Sequence, residues 1–283
     1  ESDGSVVQYK PEIGVILNID KDHKEIDSLM EMFSVFRDNS KKIIVNHSHL
    51  LASQLSRDAK IDFSTDSSMP AGYTGGQFRQ DGFSISFAIN EIPFTIGQLG
   101  KHNMENAVAA VAAANQAGVD LVTCSVALKQ YAGIYRRHQL LGTKNGIILI
   151  DDYAHNPVKC AAAIVACQPL ASKVIAWFQP HGYGPTRFLK NDFVKEIAHA
   201  LRPVDEIWMS EIFYAGGTTT KDISAADLIN EIRAKGKNAF FVANRDHLVD
   251  NLRSHLTEDC VLLLMGARDP SLEAFAGSVW EAI

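Results

Sequence analysis

Residues 147–178 read IILIDDYAHNPVKCAAAIVACQPLASKVIAWF, an apolar run, an Ala-rich stretch and a second apolar run. The short runs Ile147–Ile150 and Val174–Phe178 are typical of buried strands. Residues 157–168 between them have helical length and begin at a proline, which suits the first turn of a helix. This strand–helix–strand unit predicts a parallel crossover, in which ligands bind beyond the carboxyl ends of the strands.

The same alternation continues to the end of the chain. Further strands are predicted at Glu206–Ser210, Ala239–Val242 and Cys260–Met265, and helices at about 189–201, 224–235, 246–256 and the C-terminus. Five strands alternating with five helices predict a doubly wound α/β domain of Rossmann type. We place this domain at residues 134–283.

The first part of the chain, residues 1–133, also begins with a strand–helix–strand pattern. The predicted elements are strands Glu12–Asn18 and Lys42–Asn46, a helix over 26–37, antiparallel hairpins within Gly72–Ile96 and a helix over Met104–Ala117. Asn103 is the predicted N-cap of that last helix, and Gly118 its C-terminal stop.

Composition excludes several classes of protein. With 46% hydrophobic and 21% charged residues in 283, the chain is globular, and no apolar run approaches the length of a membrane span. The net charge of −6 and pI near 5.9 argue against non-specific electrostatic binding of nucleic acid. The N-terminus lacks a basic start followed by an apolar stretch, so a cytoplasmic protein with a small-molecule partner is expected.

The four cysteines are Cys124, Cys160, Cys167 and Cys260. They show neither C-x-x-C nor a metal-ligand spacing, and a disulfide scaffold is not expected at this size. Cys160 and Cys167 stand seven residues apart on one face of a predicted helix. All four are predicted to be reduced core residues.

Two polar segments in the first part of the chain carry candidate chemistry. The segment 18-NIDKDH-23 ends a predicted strand, where Asp20, Asp22 and His23 could reach a metal or phosphate, although such a string is also typical of a solvated loop. In 100-GKHNMENA-107, Asn103 and Asn106 share one helix face; amides there suit a purine edge, and a capped core helix is the alternative. The sequence contains no G-x-x-x-x-G-K-[ST] phosphate loop.

Three further polar segments lie in the second part. They are 133-GIYRRHQLLG-142, 151-DDYAHNP-157 and 178-FQPHGYGPTR-187, and the last two directly follow predicted strands. Paired arginines suit a phosphate or ribose, with a structural salt bridge as the alternative. Carboxylates, tyrosine and histidines at strand ends predict a ligand site.

Taken in order, these segments resemble the motifs of the Mur ligase family of ATP-dependent amide-forming enzymes. The matching segments are ESDGS at 1–5, NIDKDH at 18–23, GKHNMENA at 100–107, YRRHQ at 135–139, DDYAHNP at 151–157 and FQPH at 178–181. Within the family they are most similar to the branch that adds L-alanine to UDP-N-acetylmuramate. The resemblance implies that residues 1–133 are the latter part of a P-loop-type central ATPase domain. Residues 134–283 would be the C-terminal Rossmann-like domain, and the UDP-sugar domain and the P-loop would precede Glu1.

The resemblance also implies a reaction and residue roles. ATP would activate the carboxylate of a UDP-N-acetylmuramate-type substrate as an acyl phosphate, which the amine of an amino acid or peptide then attacks. Glu1 and His23 would bind Mg²⁺ and act in catalysis together with His155. The nucleotide would contact His102, Asn103, Asn106, Arg137, Asp152 and Tyr153. The substrate would contact His155, His181 and Arg187.

Three positions depart from or qualify the resemblance. Gly182 and Pro185 stand where the alanine-adding branch carries arginines that would clamp a carboxylate, which leaves the identity of the acceptor open. Phe33 aligns with the position at which several sister ligases carry a carbamoylated lysine, which agrees with the alanine branch, since that branch lacks this lysine.

Two other functions compete with a ligase. One is a non-catalytic nucleotide or sugar-nucleotide binding protein that retains the fold. The other is a Rossmann oxidoreductase, which is disfavoured because no strand is followed by G-x-G-x-x-G.

Overall fold

The computed structural model describes residues 4–21, 24–214, 216 and 218–283. The chain divides into two compact units between Ala132 and Gly133. Among the described residues, none of the helices combines the length and the hydrophobicity that a bilayer crossing requires.

The first unit mixes parallel and antiparallel strands with helices. Its elements are β1 (Ile13–Ile16), α1 (Ile26–Asn39), β2 (Lys42–Val45), β3 (Phe63–Ser64), β4 (Tyr73–Asp81), β5 (Ser84–Ile89), β6 (Ile92–Ile96), α2 (Lys101–Gln116) and α3 (Leu121–Lys129). Strand β1 pairs in parallel with β2, while β4, β5 and β6 form the predicted antiparallel hairpins. A parallel bridge from Asn46 to Phe63 connects β2 to β3.

Strand β2 is buried on both faces, as is usual for parallel strands. Ile43 and Val45 pack in a cluster with Leu29 of α1. Ile44, between them in sequence, belongs to the cluster formed with α2 and the hairpins. Alternate side chains of β2 therefore pack into two different cores, and this packing fixes the carboxyl end of the strand between them.

The predicted start of α2 is wrong. The helix begins at Lys101 with Gly100 as its N-cap, so Asn103 lies in the first turn. The Asn103 Nδ2 donates a hydrogen bond to the Leu99 carbonyl (2.8 Å) instead of capping the helix. At the other end, Gly118 has a φ of +100°, a left-handed conformation that suits the predicted glycine stop.

The second unit contains the predicted doubly wound sheet. Its elements are β7 (Gln139–Lys144), β8 (Ile147–Asp152), α4 (Pro157–Cys167), β9 (Lys173–Gln179), α5 (Tyr183–Phe188), α6 (Lys190–Ala200), β10 (Glu206–Met209), α7 (Ala225–Ala234), β11 (Asn238–Phe241), α8 (Leu248–Leu252), β12 (Cys260–Gly266) and α9 (Leu272–Ala282). Among the described residues, six strands form one sheet in the order β11-β10-β9-β12-β8-β7. Strands β8 to β12 are parallel, and β7 is antiparallel to β8.

Helices cover both faces of this sheet. Helices α8 and α9 pack with Trp177, Leu262 and Leu264 in one cluster. Helix α6 packs between α4 and α7, and all three helices contact the sheet, α6 through Phe193 against Phe178. All four cysteines are free and buried, as predicted.

The structure differs from the sequence prediction for this unit in four respects. Strand β7 was not predicted, and neither was the short helix α5. Strand β8 extends to Asp152, so both aspartates of DDYAHNP belong to the strand. The last predicted crossover helix is shorter than 246–256, because a 3-10 turn precedes α8.

Candidate functional site

The carboxyl ends of β8, β12 and β9 meet at one edge of the second unit's sheet. Met265 of β12 is in register with Asp152 on one side and with Phe178 on the other. The segments after β8 and β9 therefore lie side by side. The ring centroids of His155 and His181 are 5.7 Å apart, which confirms the expectation that the two motifs share this edge.

A buried ion pair lies under this edge. The Arg136 guanidinium donates to both carboxylate oxygens of Asp151 (2.7 and 3.2 Å) and to the Gly266 carbonyl (3.1 Å). Burial raises the pKa of the Asp151 carboxyl above its usual range, although Arg136 acts in the opposite direction. These hydrogen bonds of Arg136 connect the segment that precedes β7 to the ends of β8 and β12.

Asp152 is also buried, and it holds the polypeptide turn that follows β8. Its two oxygens accept hydrogen bonds from the Ala154 N–H (2.7 Å) and the His138 N–H (2.7 Å). The His138 ring lies against the same carboxylate, with Nδ1 at 3.2 Å. The predicted contact of Asp152 with a nucleotide would therefore compete with hydrogen bonds that shape the turn.

Tyr153 and His155 follow at the surface of the edge. The Tyr153 N–H donates to the Arg136 carbonyl (2.8 Å), and both Arg136 and Arg137 approach the Tyr153 ring, at 5.3 and 5.5 Å. Arg137 itself is exposed. The structure thus places Arg137 and Tyr153, two of the predicted nucleotide ligands, beside each other, while the adjacent Arg136 points into the fold.

The hydrogen bond of His155 determines its tautomer. His155 Nδ1 lies 2.9 Å from the Tyr153 carbonyl oxygen. A carbonyl only accepts, so Nδ1 carries the hydrogen and Nε2 of the neutral ring is the basic nitrogen. Asn156 then caps α4 through the Lys159 N–H (2.9 Å), which keeps the end of this loop in place.

Arg187, a predicted substrate ligand, already has partners. It forms an ion pair with Asp222 and donates to the Thr220 carbonyl (2.9 Å). Gly182 adopts a φ of +71°, and a Cβ there would lie 3.3 Å from Pro185. A glycine directly after His181 therefore suits a backbone conformation that residues with a side chain rarely adopt.

The first unit also carries polar side chains at the carboxyl ends of its parallel strands. His49, which follows β2, points Nε2 toward Asp20, which follows β1, at 3.6 Å. Glu105 of α2 accepts a hydrogen bond from the Thr65 hydroxyl (3.2 Å). Burial raises the pKa of Glu105, while nearby Lys101 and His49 act to lower it.

The predicted adenine ligands lie at the start of α2. Asn106 is exposed, and its Nδ2 lies 3.3 Å from the Asn103 Oδ1, so these two side chains are together as expected. His102 is half-buried on the same turn.

The predicted magnesium ligands Glu1 and His23 lie outside the described residues, as does Asp22. Within the part of the chain that the structure describes, no three His, Cys, Asp or Glu side chains form a group that could hold a metal ion. The two side chains are not equally good ligands for Mg²⁺. The Glu1 carboxylate suits this cation, whereas the His23 imidazole is not a ligand that it prefers.

Two family models match the chain in order. The Mur ligase middle domain matches residues 1–114, and the Mur ligase, glutamate ligase domain matches residues 136–268. The chain belongs to the Mur ligase family. The resemblance seen in the ordered motifs is confirmed.

Curated relatives of this Mur ligase chain align along nearly its whole length. A UDP-N-acetylmuramate–L-alanine ligase of Acaryochloris marina is 32% identical over 294 residues, covering 95% of this chain and 59% of the relative. One of Gloeobacter violaceus is 29% identical over 276 residues, covering 94% of this chain and 59% of the relative. The chain therefore spans about three fifths of the length of these relatives.

Solved Mur ligase structures share the fold. The UDP-N-acetylmuramate-alanine ligase of Thermotoga maritima superimposes with a TM-score of 0.74 at 21% identity, covering 99% of this chain and 61% of that one. MurF of Acinetobacter baumannii gives 0.76 at 20% identity, covering 99% and 62%.

Sequence reasoning missed several polar residues that lie at or near the ends of strands in these two units. They are His49, Glu105, Gln179, Arg245 and Asp269. Arg245 donates to the Gln179 Oε1 (2.7 Å) and to Asp269 (2.5 Å). Burial alone would raise the pKa of Asp269, but the hydrogen bonds from Ser271 and the Arg245 charge outweigh it and lower that pKa. Gln179 could have been found, because it directly follows a predicted strand, and Asp269 lies in the loop after the last one.

Proposed function

We propose that this chain is part of an ATP-dependent ligase that joins an amino acid or peptide to the carboxylate of a UDP-N-acetylmuramate-type substrate. The proposal rests on the ordered match of two Mur ligase domain models across residues 1–114 and 136–268. Residues 1–133 would serve in the central ATP-binding domain and residues 134–283 as the C-terminal domain. Such a role in cell-wall precursor synthesis places the protein in the cytoplasm, with no nucleic-acid or membrane partner.

ATP is a substrate in this proposal, and its γ-phosphoryl group activates the carboxylate. The exposed Asn106 amide, with Asn103 and His102 beside it, offers the paired donor and acceptor groups that an adenine edge requires. Arg137 and Tyr153 offer a cation and a ring at the edge of the second unit. Glu1 and His23 would bind Mg²⁺, which neutralises phosphate charge when present.

His155 and His181 would face the incoming amine. Because His155 Nδ1–H is held by the Tyr153 carbonyl, its Nε2 is the nitrogen that can accept a proton from the attacking amine. Asp152 acts as a positioning residue, since its hydrogen bonds to Ala154 and His138 hold the turn that carries His155. Arg187 would contact substrate through its Nε and Nη1 groups, while its Nη2 is bonded to Asp222 and the Thr220 carbonyl.

A non-catalytic nucleotide-binding protein is the second candidate. One observation favours it: the pairing of Arg137 with Tyr153 and of Asn103 with Asn106 would serve nucleotide binding without any catalysis. Turnover distinguishes the two candidates, because a binding protein takes up nucleotide but does not release ADP in response to UDP-N-acetylmuramate.

Two variants test whether one end of the site binds Mg²⁺ and phosphate while the other end binds adenine. Both are made in the protein that contains this chain together with its phosphate loop. His23→Ala should lower kcat by about 100-fold or more, the usual cost of losing one well-placed electrostatic contact, with little change in ATP affinity. Asn106→Ala should instead weaken ATP binding by roughly 2- to 13-fold, the equivalent of about 0.5 to 1.5 kcal/mol, with a smaller loss of kcat.

The measurement is UDP-N-acetylmuramate-dependent ADP release at varied ATP. A near-normal kcat in His23→Ala, or an Asn106→Ala enzyme that is inactive at saturating ATP with unchanged affinity, would refute the assignment. Absence of any such ADP release from the unaltered protein would refute the ligase and leave the binding protein.

A further inference from the structure

The loops that follow β9 and β10 form one structure at the edge of the second unit. The Gly182 N–H donates to the Phe213 carbonyl (2.9 Å), and the Phe213 N–H donates to the Pro180 carbonyl (2.8 Å). Beyond these bonds, the rings of Tyr183 and Tyr214 meet edge to face with centroids 5.5 Å apart. Residues on both loops are therefore held beside His181.

Two cations belong to this pair of loops, and their surroundings differ. The Arg187 charge is balanced by Asp222. The Lys221 ammonium instead lies 4.5 Å from the Tyr214 ring centroid and 5.8 Å from that of Tyr183. Among the described residues, no carboxylate forms an ion pair with Lys221.

The ring faces attract the Lys221 ammonium and localise it, but they do not neutralise its charge. Asp222 is paired with Arg187, and Glu211 of the same loop accepts hydrogen bonds from Ser224 and the Ala225 N–H, so neither carboxylate is paired with Lys221. A localised cation at the carboxyl end of a parallel sheet, where ligands collect, suits an anionic group of a ligand.

We propose that Lys221 binds the carboxylate of the amine-bearing acceptor, with Tyr183 and Tyr214 lining the place where that carboxylate lies. This inference rests on the proposed ligase function and specifies its second substrate as an amine that carries a free carboxylate. It assigns a specificity-determining residue in a chain where glycine and proline occupy positions 182 and 185.

The chemistry of amide formation favours this means of recognition. The acceptor attacks as a neutral amine, so its nitrogen offers no charge for recognition at the moment of reaction. Its carboxylate stays ionised throughout. A nearby Lys221 cation binds that carboxylate and also disfavours the protonated form of the acceptor amine by like-charge repulsion.

The test compares amino acids with their amides in the protein that contains this chain together with its phosphate loop. L-Alanine and glycine are the carboxylate probes, and L-alaninamide and glycinamide are the matched neutral probes. Lys221→Met should raise KM for the amino acids by roughly 10-fold or more, as expected for loss of a hydrogen bond to a charged group, and leave KM for the amides unchanged. Lys221→Arg should retain the preference for the carboxylate.

Lys235→Met is the matched control, since Lys235 is an exposed lysine of the same unit at the end of α7. It should leave all four KM values unchanged. Equal shifts for acids and amides in Lys221→Met would indicate a purely structural role and overturn the proposal, as would an unchanged KM for both amino acids.

Binding measured without turnover separates this inference from the ligase proposal. Saturation-transfer NMR with the same four probes and the other common L-amino acids at millimolar concentration should show a preference for the carboxylates that is lost in Lys221→Met. No binding, or a preference that persists in that variant, overturns the Lys221 assignment. A preference that depends on Lys221 in a protein without ligase turnover would overturn only the proposed reaction.

Discussion

Neighbouring residues of the same type have opposite surroundings in this protein. Arg136 is buried and bonded to Asp151, whereas Arg137 is exposed beside Tyr153. The backbone of Arg136, at a φ of +54°, turns the first side chain inward. A buried pair of this kind is weak support for net stability, but removing one partner leaves an uncompensated charge.

Arg136→Met should therefore lower the free energy of unfolding by about 3 to 5 kcal/mol at neutral pH, because Asp151 becomes a buried carboxylate without its counter-ion. Urea unfolding measures this. Arg253→Met is the control, since its pairing with Asp250 is exposed, and it should cost less than about 1 kcal/mol. The double variant Arg136→Met/Asp151→Leu should recover part of the loss.

The pH dependence of the Arg136→Met defect follows from Asp151. Loss of the guanidinium raises the folded-state pKa of Asp151 further above its unfolded value. A raised carboxyl pKa favours folding below the unfolded pKa, and that contribution disappears as pH rises through the folded pKa. The defect should be smaller near about pH 4 than at neutral pH. A defect that is the same at both pH values would contradict this explanation.

At the scale of elements, β7 shows how a helix supports a strand that has no strong hydrophobic pattern. Residues 139–144 read QLLGTK and are only partly buried. The strand pairs with β8 on one side, and at Gly142 the Trp280 ring of α9 approaches so closely that a Cβ would lie 2.5 Å from it. Contact with α9, which lies more than a hundred residues away in sequence, therefore shapes this edge of the sheet.

Gly142→Ala should destabilise the chain by about 1 to 3 kcal/mol, because the added methyl overpacks against the Trp280 ring. Gly277→Ala is the matched substitution in α9, where a Cβ meets nothing within 4 Å. It should stabilise by about 0.5 to 1 kcal/mol through helix propensity. Thermal unfolding with tryptophan fluorescence compares the two, and a neutral Gly142→Ala would show that the ring moves aside freely.

At the scale of the whole molecule, both units carry polar side chains at the carboxyl ends of parallel strands, but the 283 residues contain no phosphate loop. The backbone amides and lysine of such a loop normally hold the β- and γ-phosphates. We predict that the isolated 283-residue chain binds ATP weakly and shows no ligase turnover. Calorimetric titration with ATP and an ADP-release assay with UDP-N-acetylmuramate and L-alanine check this, and ADP release by the pure chain would contradict it.

The sequence alone determined the fold class, the parallel order of strand and helix in the second unit, the hairpins and the family. These follow from local signals: apolar runs such as Val174–Phe178, helical spacing, and motifs placed after strands. It also predicted that DDYAHNP and FQPH share an edge, because parallel strands end on the same side. The roles of Glu1, His23, Asn106 and His181 remain predictions.

Only the tertiary structure decided which partners the polar side chains have within the protein. Asp152 and Arg187 were predicted ligands, yet Asp152 holds a turn and Arg187 bonds to Asp222, through partners that no spacing reveals. The pairing of Lys221 with two tyrosines from neighbouring loops was equally hidden. Side-chain charge is encoded locally, but whether it is neutralised depends on groups that distant strands bring within a few ångströms, and only the fold brings them there.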